Sequence, residues 1–478
     1  MRAAWRAPDV RTAEEAVLAT LPEGTLMMRA AAGLARRCAV TLRTGAPGRV
    51  YAARVLLLVG PGNNGGDALY AGVNLARQGA QVSALLTDPQ RAHAKGLAAF
   101  TGAGGRVLAE WPDHTDLVVD GLLGIGASGA LRGKALDFAQ RLETLPVRPP
   151  VIAVDVPSGV SVDTGDVPGP AIRADVTVTF GVLKPALLVG PAARLAGQVE
   201  LIDIGVTPLT APAVRVPDWS DIEEWWPRPG AASDKYSRGV VGLATGSAEF
   251  PGAALLSTAG ALAGPAGMVR YAGPAYSIVA TLHPSVIVSP KVAASGRVQA
   301  WTCGSGLSQD QRARDEVRAV LAAPVPVVLD ADAINLLVDG TLAPALRDRD
   351  APTVLTPHDG EFARLAGRRP GEDRVGAALT LAAWTRAVVL LKGDRTIVAA
   401  PDGEAWVNPT GSPALATAGS GDVLGGLLGS LLAAGLSPVR AAVVAAYLHG
   451  LAGRRAAESG SVTSADIAAA LRTVVPVA

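Results

Sequence analysis

The 478-residue chain is long enough for two or three domains, and its 49% hydrophobic content can bury a large core. With 43 basic against 42 acidic side chains the net charge is +1, which argues against a nucleic-acid partner or an anionic membrane surface. Two cysteines far apart in sequence, Cys38 and Cys303, speak against a disulfide framework or a thiolate zinc site and for a reducing cytoplasm.

The opening MRAAWRAPDVRTAEEAV soon turns acidic and holds no apolar h-region, so no signal peptide is expected. Strand-length apolar runs follow: RVLLLV (54–59), QVSALL (81–86), TDLVVD (115–120), PVIAVDV (150–156), ADVTVTF (174–180) and GQVELIDI (197–204). Helical stretches separate them, the pattern of βαβ units and a parallel sheet. From Thr207 to Gly230, TPLTAPAVRVPDWSDIEEWWPRPG gathers prolines and tryptophans and reads as a domain junction or packed linker. Strands return as GVVGLAT (239–245), AGMVRYAG (266–273), PVVLDAD (326–332), APTVLTPH (351–358) and RAVVLLKG (386–393). The expected organisation is a first domain over 1–215, a linker over 216–229 and a second domain over 230–478. The halves share no alignable motif, which makes them a fusion and not a duplication. The apolar stretch from Val423 is stopped by Pro438, too short and glycine-rich for a membrane span, and is expected to be a buried core helix.

The first half carries LLLVGPGNNGGDALYAGVNLARQG (56–79), in which Gly60, Gly62 and Gly65 fit G-x-G-x-x-G with Asp88 following the next strand. A dinucleotide reading places Asp67 where a pyrophosphate would sit, and a Walker A reading fails because Gly66, Asp67 and Ala68 replace its lysine and hydroxyl. Asn63, Asn64 and Asp67 are hard oxygen donors suited to a cation; alternatively the asparagines only support a left-handed turn. Two more strands end alike, DLVVDGLLGIGASGALRG at Asp120 and PPVIAVDVPSGVSVDTG at Asp155 before Ser158 and Gly159. In an open parallel sheet these three loops converge on one crevice.

NNGGD, DGLLGIG and VDVPSG in this order resemble the NAD(P)H-hydrate epimerase domain, over about residues 10 to 215. The resemblance implies a Rossmann-like three-layer fold. It implies that Asn63, Asn64, Gly65, Gly66 and Asp67, with Gly124, Ile125, Gly126, Ala127, Ser128, Gly129 and Ala130, hold the hydrated dinucleotide, and that Asp155 meets its reacting ring. It implies potassium on Asn64, Asp120 and Ser158. The family's LME stretch reads LMMRAAAG here, a departure expected to touch none of these residues. The hydrate is a hemiaminal, whose ring nitrogen can expel the hydroxyl once an acid protonates it, and Asp155 is the expected proton donor and acceptor. Lys184 in TFGVLKPA reads as a surface lysine, although it could lie nearby.

In the second half TAGSGDVLGGLLGSLLAAG (417–435) places a Gly-Ser-Gly turn at a helix start, where backbone N–H groups face an anion. Asp422 there is either a helix cap or a base beside an anion hole. LDADAINLL (329–337), TPHDGEFARL (356–365) and LLKGDRTIV (390–398) end other strands. Together with the DKYSRG opening and FPGAALLSTAGAL, these resemble the ribokinase-like fold and, within it, the NAD(P)H-hydrate dehydratase domain, over about residues 230 to 475. The resemblance implies Asp422 as the catalytic carboxylate and Ala253, Gly306 and His358 as hydrate contacts. It implies a nucleotide site of Lys392, Gly393, Asp394, Arg395, Thr396 and Gly421. A serine, not a histidine, closely precedes the lysine of SDKYSRG, and the GPGLG-type loop reads CGSGLS, with Ser305 and Ser308.

The expected fold class is α/β, two three-layer αβα domains. The expected function is a bifunctional isomerase and lyase that epimerises R and S NAD(P)HX and dehydrates the S form. Resemblance to bacterial members implies ADP over ATP, releasing AMP and phosphate; magnesium is expected as for phosphoryl transfer generally. A homo-oligomer is expected from apolar helix faces. The alternatives are a ribokinase-like small-molecule kinase fused to a nucleotide-binding regulatory module, or a non-catalytic sensor.

Overall fold

The computed structural model describes residues 1–126 and 129–476. Two compact units emerge, Ala3–Ala213 and Met1–Arg2 together with the chain from Val214 onward. In the first, β1 (Arg54–Val59), β2 (Gln81–Leu86), β3 (Arg106–Leu108), β4 (Leu117–Gly121), β5 (Val151–Val154), β6 (Val176–Phe180) and β7 (Gln198–Ile202) form one parallel sheet. Its order is β3-β2-β1-β4-β5-β6-β7. The alternation of a strand explains the layers: Val55, Leu57 and Val59 join one core with Leu34, Cys38, Ala68 and Leu75, while Leu56 and Leu58 join another with Leu131, Ala139 and Leu142. Helices Thr25–Thr44 and Asn63–Arg77 therefore cover one face, and Gly133–Glu143 the other.

In the second unit β8 (Val214–Val216), β9 (Val240–Ala244), β10 (Met268–Ala272), β11 (Ile287–Ser289), β12 (Ala300–Cys303), β13 (Val327–Leu329), β14 (Thr353–Leu355), β15 (Val388–Leu391), β16 (Ile397–Ala399) and β17 (Ala405–Val407) share a sheet. They run in the order β8-β17-β16-β15-β14-β13-β12-β9-β10-β11. Pairing is parallel except around β16, which is antiparallel to both β15 and β17. Strands β3, β8, β11, β16 and β17, with three residues each, and β12, with four, lie outside the apolar runs read from the sequence.

The apolar stretch from Val423 lies in the helix Ser420–Ala433, whose Val423, Leu424, Leu427, Leu428 and Leu431 are core residues. Its neighbour is Pro251–Ala263, and the two backbones touch: a Cβ on Gly426 would lie 2.0 Å from the Ser257 carbonyl oxygen, and one on Gly260 2.1 Å from that of Val423. Among the described residues no helix is long and apolar enough to cross a membrane. Both cysteines are buried free thiols.

The segment 216–229 corrects the expected linker. Val214–Val216 pairs with β17 through Arg215 and Trp406, and a capping box on Asp218 and Asp221 starts the helix Trp219–Trp225. Ile222 and Trp226 belong to the core of the second unit. Of the segment's three tryptophans, Trp226 lies in that core and Trp225 packs against it, edge-on to Trp406, while Trp219 is exposed.

Candidate active sites

The loops after β1, β4 and β5 meet at the carboxyl edge of the first sheet around a cavity of about 970 Å³. Asn63, Asn64, Asp67, Gly124, Ile125, Gly126 and Asp155 line it. Gly62 takes the left-handed conformation, with φ 82°, so the asparagines are free to open the helix Asn63–Arg77 and do not serve as left-handed turn residues. Gly65 sits behind them as a packing residue, since a Cβ there would come within 2.2 Å of the Gly60 carbonyl oxygen; Gly66 backs onto His93. Gly129 and Ala130 lie off the cavity lining, and Ala127 and Ser128 fall outside the described residues. Asp88 caps its own turn, accepting from the Gln90 N–H, and also lies off the lining.

Asp155 follows β5 in a left-handed conformation, φ 68°, that turns its carboxyl toward the cavity. Its Oδ1 accepts from Thr179 Oγ1 at 2.9 Å and Lys184 Nζ at 2.5 Å. Lys184 is no surface lysine: at 1% exposure it is buried, its other protons going to Thr179 Oγ1 and the Phe180 carbonyl. Burial is tolerable because an anion and two dipoles surround the ammonium.

Two further carboxyls share this cavity. Burial, then the charges of Asp155 and Glu14, push the Asp67 carboxyl well above the ordinary range. Its Oδ1 has no hydrogen-bond partner among the described residues. Glu14, from the helix Ala7–Leu18, is raised by burial and by Asp155, with Lys184 pulling the other way. Sequence reasoning missed Glu14, Arg11, Tyr70 and His93 in the lining. Met27 and Met28 of the LMMRAAAG stretch also line it, so that departure borders the site.

Asp120 at the end of β4 is wholly buried and accepts from Ser158 Oγ at 2.6 Å, Ser158 N at 2.8 Å and Leu122 N at 3.3 Å. Burial pushes its carboxyl up to about 6 against these hydrogen bonds. Asn64 approaches Gly124 closely enough that a Cβ there would sit 2.9 Å from Asn64 Oδ1. Asp120, buried beside the Ser158 hydroxyl and without a cationic hydrogen-bond partner among the described residues, is a hard oxygen donor of the kind an alkali cation takes.

In the second unit Asp422 stands in the first turn of Ser420–Ala433 after Gly419, φ 83°. Burial, then the charge of Asp330, raise its carboxyl to about 7, while Ser305 and Lys392 pull it down. Asp330, which the sequence reading never singled out within DADAINLL, is the hub. Its Oδ1 accepts from Thr356 Oγ1 and Lys392 Nζ, both at 2.7 Å, and its Oδ2 from Ser305 Oγ at 3.2 Å. Lys392 Nζ lies 3.8 Å from Glu361, and burial, which opposes its charge, is outweighed by Asp330 and Glu361, which raise it. A Cβ on Gly421 would meet Lys392 Nζ at 3.3 Å, so that glycine brings the turn against the lysine. Beneath it, His449 Nε2 donates to the Ser420 carbonyl at 2.9 Å; burial holds this imidazole down to about 4 and hence neutral.

Ala253 and Gly306 touch, a Cβ on Gly306 falling 2.8 Å from that of Ala253. Gly393 and Asp394 are exposed, and Arg395 and Thr396 partly so, in the loop after β15; Thr396 Oγ1 closes the loop onto the Gly393 carbonyl. His358 Nδ1 accepts from the Gly360 and Glu361 N–H groups as cap of the helix Asp359–Ala366, with Nε2 3.3 Å from Glu361.

Comparison with known proteins adds an independent line. A family model described as NAD(P)H-hydrate dehydratase matches residues 241–474, and one described as YjeF-related protein N-terminus matches residues 23–186. The bifunctional NAD(P)H-hydrate repair enzyme Nnr of Mycobacterium tuberculosis is 47% identical over 444 residues, covering 92% of this chain and 91% of the relative. That of Mycobacterium leprae is 46% identical, covering 94% and 93%. The crystal structure of a ribokinase-like superfamily protein from Enterococcus faecalis superposes with TM-score 0.50 at 25% identity, covering 56% of this chain and 97% of that one. With both domain models present and such identity along nearly the whole length, the chain belongs to the bifunctional NAD(P)H-hydrate repair enzymes.

Proposed function

We infer that this chain repairs hydrated nicotinamide dinucleotides: the first unit interconverts R and S NAD(P)HX, and the second dehydrates the S form to NAD(P)H with ADP, releasing AMP and phosphate. The observation that carries the reading is a reactive carboxyl at the carboxyl edge of each sheet, with a lysine bonded to it or to its neighbour: Asp155 with Lys184, and Asp422 beside Asp330 and Lys392.

In the first unit the hydrate ring lies against Asp155. A carboxylic acid in the cavity protonates the leaving hydroxyl, the ring nitrogen lone pair expels it as water, and a cationic C=N remains. Water returns to either face and gives up a proton to Asp155, and that proton passes back to the cavity acid that began the cycle, so R and S exchange without net change. Lys184 keeps Asp155 oriented and compensates its charge. Asn63, Asn64, Asp67 and the Gly124–Gly126 backbone would orient the dinucleotide. Potassium, held by Asn64, Asp120 and Ser158, would supply fixed positive charge to the buried Asp120 and stiffen the loops that carry these residues.

In the second unit Asp422 accepts the ring hydroxyl proton as that oxygen bonds to the terminal phosphorus of ADP and the bond to AMP breaks. The hydroxyl becomes phosphate, a good leaving group; its departure, with the proton of the adjacent ring carbon passing to the leaving phosphate, restores the reduced ring. Lys392 and the 393–396 loop would receive the nucleotide, Gly421 the phosphate edge, and Ala253, Gly306 and His358 the hydrate. Magnesium would be carried on the nucleotide's own phosphates, where it would neutralise charge during the transfer. A cytoplasmic setting suits two free buried thiols. A homo-oligomer is proposed on the exposed Tyr276, Ile278, Leu282 and Ile287, and a monomer in analytical ultracentrifugation would remove it.

The test is to incubate the purified protein with mixed R and S hydrates and ADP and follow reduced-nicotinamide absorbance. Complete recovery requires both activities. Recovery of only the S share would refute the epimerase, and a stable phosphorylated product would replace the dehydratase with a kinase.

A further inference from the structure

Arg374 is the first residue of the helix Arg374–Thr385, the end of a helix at which a positive charge is disfavoured. Its side chain leaves that end and reaches two other elements. Nη1 donates to Asp359 Oδ2 at 2.9 Å and Nη2 lies 2.8 Å from Asp359 Oδ1, so the edge of the guanidinium faces the edge of the carboxylate. Nη2 also donates to the Lys392 carbonyl at 3.1 Å. A Cβ on Gly393 would lie 3.1 Å from the same nitrogen, so the glycine lets the loop after β15 rest against the guanidinium. Asp359 opens the helix Asp359–Ala366 directly after His358, whose capping box with Glu361 fixes that helix start by itself. The loop is less well held: its Thr396 carbonyl accepts from the Asn408 N–H at 2.8 Å and its Lys392 N–H donates to the Pro357 carbonyl at 2.9 Å, while Gly393 and Asp394 between them are exposed.

We propose that Arg374, anchored by Asp359, is a positioning residue for the nucleotide: it clasps the 392–396 loop to the helix behind His358 and so sets where the terminal phosphate of ADP stands relative to the hydrate. Arg374 acts through the Lys392 carbonyl and Gly393. An ion pair whose side chains are 26% and 46% exposed adds little stability of its own, so what this one supplies is a fixed direction for the loop. Transfer between two bound molecules tolerates little displacement, which gives that direction a use. The inference rests on the dehydratase reading given above and adds two residues that it did not use.

In the full-length protein, the dissociation constant for ADP with magnesium is measured by calorimetry, and KM values are taken from ADP-dependent dehydration of the S hydrate. Arg374→Met weakens ADP binding about tenfold and Asp359→Ala about threefold, and the double variant is no weaker than Arg374→Met alone, because the two residues act as one clasp. In turnover the loss falls on KM for ADP and leaves KM for the S hydrate in place, since the helix after His358 keeps its own cap. A lower melting temperature with ADP affinity intact would make the clasp purely structural and overturn the inference, as would two losses that add in full. Should Arg374→Met fail to fold, Asp359→Ala decides alone, and an unchanged ADP affinity there overturns it. Weakened ADP binding in both variants of a protein that yields no NAD(P)H from the S hydrate would uphold the clasp and refute the dehydratase reading alone.

Discussion

The two units use the same three kinds of group and arrange them differently. In the first, the lysine bonds the carboxylate proposed to react, Lys184 to Asp155, and the additional carboxyls Asp67 and Glu14 are the ones burial drives toward the protonated form. In the second, the lysine bonds the neighbour, Lys392 to Asp330, and Asp422, the proposed base, is left with its proton affinity near neutrality. A site that must both give and receive a proton keeps an ionised and a protonated carboxyl side by side. A site whose side chain has only to accept the hydroxyl proton keeps a single base whose affinity is matched to the medium.

The sharpest way to separate the units is Asp422→Asn, which should lower ADP-dependent dehydration by about 10²- to 10⁴-fold while R and S hydrates still interconvert at the wild-type rate. Chromatography of the two hydrates and absorbance at the reduced-nicotinamide band read both activities from one sample; loss of both would sink the division of labour. Lys184→Met strands the buried Asp155 charge and should cost the first unit about 3–5 kcal/mol in thermal unfolding, with epimerisation falling and dehydration of pure S hydrate preserved. An unchanged unfolding profile would return Lys184 to the surface role that its sequence suggests.

A subtler contrast is the pH dependence. Because Asp422 must be unprotonated to act as a base, dehydration should fall about tenfold for each unit below its transition near pH 7, an acid limb that Lys184→Met leaves in place. A limb near pH 4 would mean that Asp422 is not buried as described. The smallest effect is on stability. The folded Asp67 carboxyl titrates above its unfolded counterpart, so its contribution is full below the unfolded transition near pH 4 and is lost as pH rises through the folded one. Asp67→Asn should therefore be level with wild type at pH 4 and melt higher at pH 8, and a gain that is largest at pH 4 would refute the assignment.

What the sequence made legible follows from where the information lies. Asp155 and Asp422 stood out because each closes a strand or opens a helix beside glycines, and Asp120 with Ser158 because their loops follow adjacent strands. Lys184 did not, because nothing in TFGVLKPA says that the turn after β6 folds back beneath Asp155. Glu14 lies on a helix far from the motifs in sequence, and only the cavity unites them. Asp330 was visible as part of DADAINLL but not as the meeting point of Thr356, Lys392 and Ser305, which come from separate strand ends. The segment 216–229 misled because proline and tryptophan density masks a capping box that was readable in DWSD.

The backbone contact at Gly260 and Gly426 limits how this protein can be engineered. Replacing helical glycines with alanine is an ordinary route to a hardier enzyme, worth about 1 kcal/mol per site where space allows. Here one added methyl on either glycine would wedge apart the two helices and lift the GSGD turn off Lys392. A search for thermotolerant variants should therefore leave both positions untouched and look for its gains elsewhere, since mutants stiffened there would lose the alignment of Asp422.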